Sequence, residues 1–189
     1  MKKEIITISG LPGSGKSSTA DKVAKALNYS RFSSGDFMRK IAIEKNITLN
    51  QLSKIAENDN GEIDNQIDNE VSKLNETQKI VVDSRLAFHF LKNSFKVFLD
   101  LNPEISKDRV IENLKSNPLR LESEGLTRPE EVYEKIIERL NSEKKRYREL
   151  YNLDYTNKEN FDLVIDTEKN NLDQVVEIIL NEYKNWLNS

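Results

Sequence analysis

The run Gly10-Leu11-Pro12-Gly13-Ser14-Gly15-Lys16-Ser17 constrains this chain more than any other stretch, because it fills every fixed position of G-x-x-x-x-G-K-[ST]. Its surroundings fit the same pattern. Ile5-Ile6-Thr7-Ile8 reads as a short β-branched strand, and Val23, Ala24 and Leu27 recur at helical spacing beyond the loop. The glycines let backbone N–H groups close around a phosphate chain without a Cβ in the way, and the new helix turns its positive end toward the same oxygens. Lys16 is then expected to reach the β- and γ-phosphates, and Ser17 to hold Mg²⁺.

Composition narrows the partners. The chain has 189 residues, suited to a single domain, with 29 basic and 32 acidic side chains and a net charge of −3. Nothing in that balance suggests a grip on a nucleic acid polymer or an anionic membrane. No cysteine is present, which removes disulfides, thiolate metal sites and thiol nucleophiles, and the lone His89 removes multi-histidine metal sites. His89 itself reads as a helix residue near the core rather than a catalyst. Met1-Lys2-Lys3 and the apolar residues after it could imitate a signal peptide, but the run breaks at Ser9-Gly10. No run approaches the roughly 18 apolar residues of a membrane span. A soluble cytoplasmic protein, acting as a monomer, is the expectation.

Four further apolar runs read as buried strands: Tyr29 to Ser33, Ile80-Val81-Val82, Val97-Phe98-Leu99 and Leu163-Val164-Ile165. Helical patterns cover about 36–45, 49–58, 62–75, 104–115, 129–151 and 172–187. Such alternation predicts an α/β fold, a parallel sheet with helices on both faces, whose ligands bind at the carboxyl ends of the strands. Asp83-Ser84-Arg85 and Asp100 fall at such ends. Asp83 is the expected Mg²⁺-ordering carboxylate beside Ser17.

Two segments look like additions to this core. The first, about 36–78, reads as a helical cap with an apolar face of Ile41, Leu49, Leu52, Ile55, Ile63, Ile67 and Val71. The second, about 116–128, is bounded by prolines, carries Arg120 and Arg128, and suits a short lid. The core is then 1–35, 79–115 and 129–189.

Phosphoryl transfer spreads negative charge over the moving group, so catalysis rests on positioning and cations. An acceptor that is itself a phosphate needs no general base, and the demand shifts to arginines. Arg39, Arg85, Arg109, Arg139 and Arg146 supply such a set. Arg139 and Arg146 lie two helical turns apart with Glu143 between them, and read either as a surface salt-bridge ladder or as a nucleotide-facing stripe. Arg109, Arg120 and Arg128 read equally as solvated surface residues.

Taken together these residues resemble the nucleoside monophosphate kinases, most closely the archaeal-type cytidylate kinases. The likeness runs through Ile8 to Ser17, Ser34-Gly35-Asp36-Phe37-Met38-Arg39, Ala56-Glu57, Glu62-Ile63-Asp64, Ile67-Asp68, Arg85-Leu86-Ala87, Arg139 with Ser142 to Tyr147, and Asp162 to Thr167. The resemblance implies a P-loop NTPase fold, a three-layer α/β/α sandwich with a five-stranded parallel sheet, a cap that binds the monophosphate, and a lid. It implies the reaction ATP + CMP = ADP + CDP, with dCMP a second acceptor and Mg²⁺ accompanying ATP. ATP falls to Gly10, Leu11, Pro12, Gly13, Ser14, Gly15, Lys16, Ser17 and Ser18. By likeness Arg39, Arg85 and Arg146 hold the acceptor phosphate together with Ser34, Arg139 and Glu143 lie near its sugar or base, and Arg109 faces the transferring group as Lys16 does. Adenylate kinases usually carry Asp-Gly-Phe-Pro-Arg after the third strand; Asp83-Ser84-Arg85-Leu86 stands here and favours a pyrimidine. Members of the family generally have Glu-Gly-Arg at 83–85, a second arginine at Asn113 and Arg-Glu at Arg139-Leu140, and arginine shortly after Asp68. Arg120 or Arg128 is the candidate to replace the missing arginine.

Other readings of the loop remain. UMP or AMP is an alternative acceptor. A GTPase-like switch would need Asn-Lys-x-Asp, and the nearest string, Asn157-Lys158-Glu159-Asn160, lacks the aspartate. A kinase of a small hydroxylated metabolite would need a carboxylate base, for which Asp36 or Asp83 is available.

Overall fold

Ile5–Gly10 (β1) is buried along its whole length, because it lies in the middle of a sheet covered on both faces. A strand in that position needs an unbroken apolar run rather than an alternating one. The computed structural model describes residues 2–115 and 128–189. Within them, β1 is followed by Lys16–Leu27 (α1), Ser30–Ser33 (β2), Ser34–Glu44 (α2), Leu49–Ala56 (α3), Glu62–Lys73 (α4) and Ile80–Asp83 (β3). Ala87–Phe90 (α5), Phe95–Asp100 (β4), Pro103–Lys115 (α6), Pro129–Tyr151 (α7), Leu163–Asp166 (β5) and Leu172–Asn188 (α8) complete the order. The five strands pair in parallel in the order β2-β3-β1-β4-β5.

Helices α1 and α8 cover one face, where Val23, Val175, Ile179 and Tyr183 pack on Ile6, Ile8, Val97 and Leu99. The opposite face takes Val71, Ala87 and Leu91 against Ile5, Ile80 and Val82. Leu140 of α7 joins Leu86, Phe88 and Tyr155 in a further cluster. The three layers expected from alternating strands and helices are therefore present. The chain turns from one side of β1 to the other between β3 and β4, which opens a crevice at the carboxyl end of β1.

Helix ends follow local chemistry. Thr48 and Gln51 close a capping box on α3, Asn171 and Gln174 close another on α8, and Pro129 starts α7, where its missing N–H costs nothing. The short helix α5 escaped the periodicity reading because four residues carry too little of a repeat. Tyr29 belongs to the turn after α1, its N–H donating to Ala24 O, and β2 begins one residue later.

Helices α2, α3 and α4 share their own apolar cluster of Ile41, Ala42, Leu52, Ala56, Ile63 and Ile67. Two expected members of the cap face lie elsewhere. Ile55 is 46% exposed, because Leu52, Ser53 and Ala56 occupy the inward stripe of α3. Val71 leaves the cap and packs on the sheet, so α4 roots the cap to the core. The lid proposed at 116–128 lies, apart from Arg128, outside the described residues. Among those described, no helix is long and apolar enough to cross a membrane.

Candidate active site

The phosphate loop is held open by its own backbone. Gly10 has φ +151°, and a Cβ there would stand 2.5 Å from the Leu99 carbonyl oxygen of β4. At Gly13, φ is +75° and a Cβ would come within 2.9 Å of Ser106 O on α6. Neither position has room for a side chain, so the spacing of the motif is set by the neighbours it must pass. Ser106 Oγ donates to Pro12 O at 2.6 Å, and Ser9 Oγ donates to the carbonyls of Ser84 and Arg85, each at 2.9 Å. The loop is thereby tied to α6 and to the segment after β3.

Helix α1 starts at Gly15 without a side-chain cap and with no acidic residue in its first turn, which leaves its N-terminal amides and positive end available to an anion. Lys16 Nζ donates to Leu11 O at 3.0 Å across the loop. Ser17 Oγ donates to Asp83 Oδ2 at 2.7 Å. A hydroxyl and a buried carboxylate are hard oxygen donors of the type Mg²⁺ takes, and this ion ordinarily keeps waters and phosphate oxygens as its other ligands. Among the described residues no group of three His, Cys, Asp or Glu could hold a metal unaided. The pair fits an ion that arrives with the nucleotide.

A cleft of about 470 Å³ runs from this loop to the cap. Pro12, Gly13, Gly15, Lys16, Ser17, Ser18 and Asp83 line one end, and Ser34, Arg39 and Arg85 line the other. Arg109, Arg139, Glu143 and Asn113 close the side formed by α6 and α7. Gly10, Leu11 and Ser14 are not on the wall: Gly10 and Ser14 are buried, and Leu11 packs beside Leu86 and Phe88. Arg109 also donates from Nη2 to Thr167 O at 2.9 Å, which anchors it beyond β5.

Burial disfavours charge on Arg85, but its ion pair with Glu143 outweighs this and holds the guanidinium firmly protonated. Glu143 therefore positions an arginine. Arg146, expected on the acceptor phosphate, is buried, does not line the cleft, and engages Asp64 through Nε at 2.6 Å and Nη2 at 3.4 Å. Asp64 stands on the wall in front of it. The reason is geometric, since Glu143 and Arg146 both sit on the buried stripe of α7 and the α4 carboxylate reaches the guanidinium first. The inward stripe prevails over the surface ladder. Arg128 is 73% exposed and pairs with Glu131, away from the cleft wall, while Arg120 lies outside the described residues.

Three acidic or basic residues of the cleft and its margin were not assigned roles from sequence. Asp68 lines the cleft and accepts a hydrogen bond from Tyr151, and burial lifts its carboxyl to about 6, with the charge of Asp64 adding to the effect. Burial also raises Asp64, against the pull of Arg146. Arg31, on β2, stands behind Asp83, with Nη2 3.3 Å from Asp83 Oδ2. A charged residue inside a short strand, adjacent to a strand ending in aspartate, was the available signal. His89 packs against the rings of Phe90 and Tyr151 outside the cleft, and burial together with Lys92 lowers its pKa.

Residues 5–169 match the model of the cytidylate kinase-like family. The chain belongs to that family. It is 33% identical over 177 residues to a cytidylate kinase of Methanosphaera stadtmanae, covering 93% of this chain and 95% of that one. It is also 33% identical over 186 residues to an S-adenosylmethionine-dependent nucleotide dehydratase of Lacinutrix mariniflava. That match covers 96% of this chain but only 36% of the longer relative. Among solved structures, a shikimate kinase of Bacteroides thetaiotaomicron superposes with a TM-score of 0.60 at 15% identity, over 95% of this chain and 98% of that one. This last likeness shows the P-loop kinase fold. The family and the names of its members support a phosphotransferase of the nucleoside monophosphate kinase type.

Proposed function

We propose that this family member transfers the γ-phosphoryl group of ATP to a pyrimidine nucleoside monophosphate, CMP or dCMP. The observation that carries the reading is the cleft lined both by the phosphate loop and by Arg39 and Arg85, which offers cations and amides to two phosphate-bearing ligands at once. The acceptor phosphate attacks with an oxygen that is already ionised. The P–O bond to the ADP leaving group breaks as the new one forms, and no side chain has to remove a proton. Lys16 and the N-terminus of α1 hold the donor phosphates, and Arg109, which lines the same cleft, meets the charge that spreads over the moving group. Ser17 and Asp83 would hold a Mg²⁺ ion arriving with ATP, which would supply neutralisation of phosphate charge.

A pyrimidine acceptor is supported by the cytidylate kinases among the relatives and by Asp83-Ser84-Arg85-Leu86 in place of the run usual in adenylate kinases. The names of both kinds of relative, kinase and dehydratase, concern nucleotides, which agrees with a nucleotide rather than a small alcohol in the cap. An ATP-consumption assay with CMP, dCMP, UMP, AMP and shikimate tests the reading. CMP or dCMP should give the highest kcat/KM. A higher value for AMP removes the pyrimidine assignment, and a higher value for shikimate removes the nucleotide acceptor altogether.

A further inference from the structure

Arg31 occupies a point where carboxylates from three elements converge. Its Nε lies 3.1 Å from Asp21 Oδ1 of α1, off the hydrogen-bond line, while Nη1 lies 3.2 Å from Asp36 Oδ2 of α2 and Nη2 3.3 Å from Asp83 Oδ2 of β3. Charge-assisted contacts of this type normally close to about 2.7–2.9 Å. The guanidinium thus bridges Asp36 and Asp83 by two hydrogen bonds, each longer than that. Two of these carboxylates have a second obligation: Asp83 Oδ2 also accepts from Ser17, and Asp36 Oδ1 also takes Arg39. A continuous line of contacts therefore leads from the metal-holding hydroxyl to the acceptor arginine, through Ser17, Asp83, Arg31, Asp36 and Arg39.

We propose that Arg31 is a positioning residue that exchanges between Asp83 and Asp36, so that acceptor phosphate at Arg39 and a divalent cation at Asp83 favour each other. The inference rests on the reading above that Arg39 receives the acceptor phosphate and that Asp83 faces Mg²⁺. A phosphate dianion competes with Asp36 for Arg39, because it offers more charge and more oxygens. Relieved of Arg39, Asp36 retains Arg31 as its neighbouring cation and draws it closer. Asp83 then loses a cation that would oppose a metal ion held there, a repulsion only weakly screened because Asp83 is buried and Arg31 is 24% exposed. Coupling of this kind is reciprocal, so a metal ion on Asp83 pushes Arg31 toward Asp36 and loosens Arg39 for the phosphate. Partial burial works against ionisation of Asp36, yet Arg39 and Arg31 together hold its carboxyl below the usual value, which keeps it charged throughout.

The test is Mn²⁺ binding, followed by the paramagnetic resonance signal of the free ion, on protein loaded with a non-hydrolysable ATP analogue, with and without CMP. In the wild-type protein CMP should tighten Mn²⁺ binding about fivefold or more, within the ordinary range of coupling between sites. Arg31→Gln should bind Mn²⁺ several-fold more tightly than wild type before CMP is added, and CMP should then change little. Asp36→Asn should do the opposite, leaving Arg31 on Asp83 and Mn²⁺ binding weak with or without CMP; this variant decides the matter if Arg31→Gln does not fold. Arg31→Lys, which keeps a cation, should retain part of the CMP effect. An unchanged CMP effect in Arg31→Gln, or Mn²⁺ affinity no higher than wild type without CMP, overturns the proposal. The arm without acceptor needs no nucleoside monophosphate. If calorimetry shows UMP binding in place of CMP the choice of cytosine falls, if it shows AMP the pyrimidine assignment falls, and in either case the exchange is judged with whichever monophosphate binds.

Discussion

The two ends of the cleft are built on different principles. At the donor end, one contiguous stretch offers backbone amides, and two glycines with positive φ are fixed by the Leu99 and Ser106 carbonyls beside them. At the acceptor end the wall is assembled from side chains of α2, α4, α7 and the segment after β3, and charged pairs hold it: Asp36 with Arg39, Arg85 with Glu143, Asp64 with Arg146. Backbone geometry is insensitive to ligands, whereas ion pairs can exchange partners when an anion arrives. The donor end is therefore preformed, and the acceptor end is expected to rearrange on binding.

Lys16→Ala attacks the donor end and should have the largest effect. Removing a cation aimed at charge that develops in the transition state costs about 10²-fold or more in turnover. Because Lys16 is only partly buried and donates to the Leu11 carbonyl of its own loop, the circular dichroism spectrum and melting curve should stay close to wild type. Retention of more than about a tenth of the activity would remove the lysine from the chemistry.

Arg39→Ala tests the other end. It should raise the KM for CMP about 10- to 100-fold, the scale of a lost hydrogen bond between charged groups, while the KM for ATP moves little. Equal losses for both nucleotides would erase the division between the two ends. Arg85→Ala is a harsher change, since it leaves the buried Glu143 without its cation, and a fall in stability should accompany the loss of CMP use.

The same contrast explains what could be read in the sequence. The donor loop was legible because its parts are consecutive and its glycines have no substitute. The sheet was legible because its three inner strands are buried and need apolar runs, whereas β2 and β5, expected to be buried, are half-exposed edge strands. Helix α7 was bounded correctly by Pro129 and by Asn152, which takes the left-handed conformation after its last turn. The acceptor wall was legible only as residue types. Arg146 and Arg85 look alike in the chain, yet one is taken by Asp64 and the other reaches the cleft, because the meeting of the α4 and α7 side chains is not encoded in any periodicity. Arg31 was missed for the same reason: its meaning comes from three carboxylates that only the fold brings together.

The smallest expected effect concerns the root of the cap, where Asp68 meets Tyr151. Burial raises this carboxyl from an ordinary 3.8 to about 6, so between those values the folded protein binds a proton that the unfolded chain does not. Stability from this group accordingly increases as pH falls from 7.5 to 5, by about 1 kcal/mol, and the cost of keeping the buried charge is fully present only well above pH 6. Other carboxylates act in the opposite direction; Asp36 and Asp154 are held below their usual values and lose stabilisation as acid protonates them. The comparison must therefore be made against Asp68→Asn, which removes the titration and keeps the shape. Urea unfolding at pH 7.5 and pH 5 should show the variant gaining on wild type at the higher pH by about that amount and converging at the lower. A difference that does not vary with pH would mean that Asp68 is solvated, and that the cap is held by its apolar cluster alone.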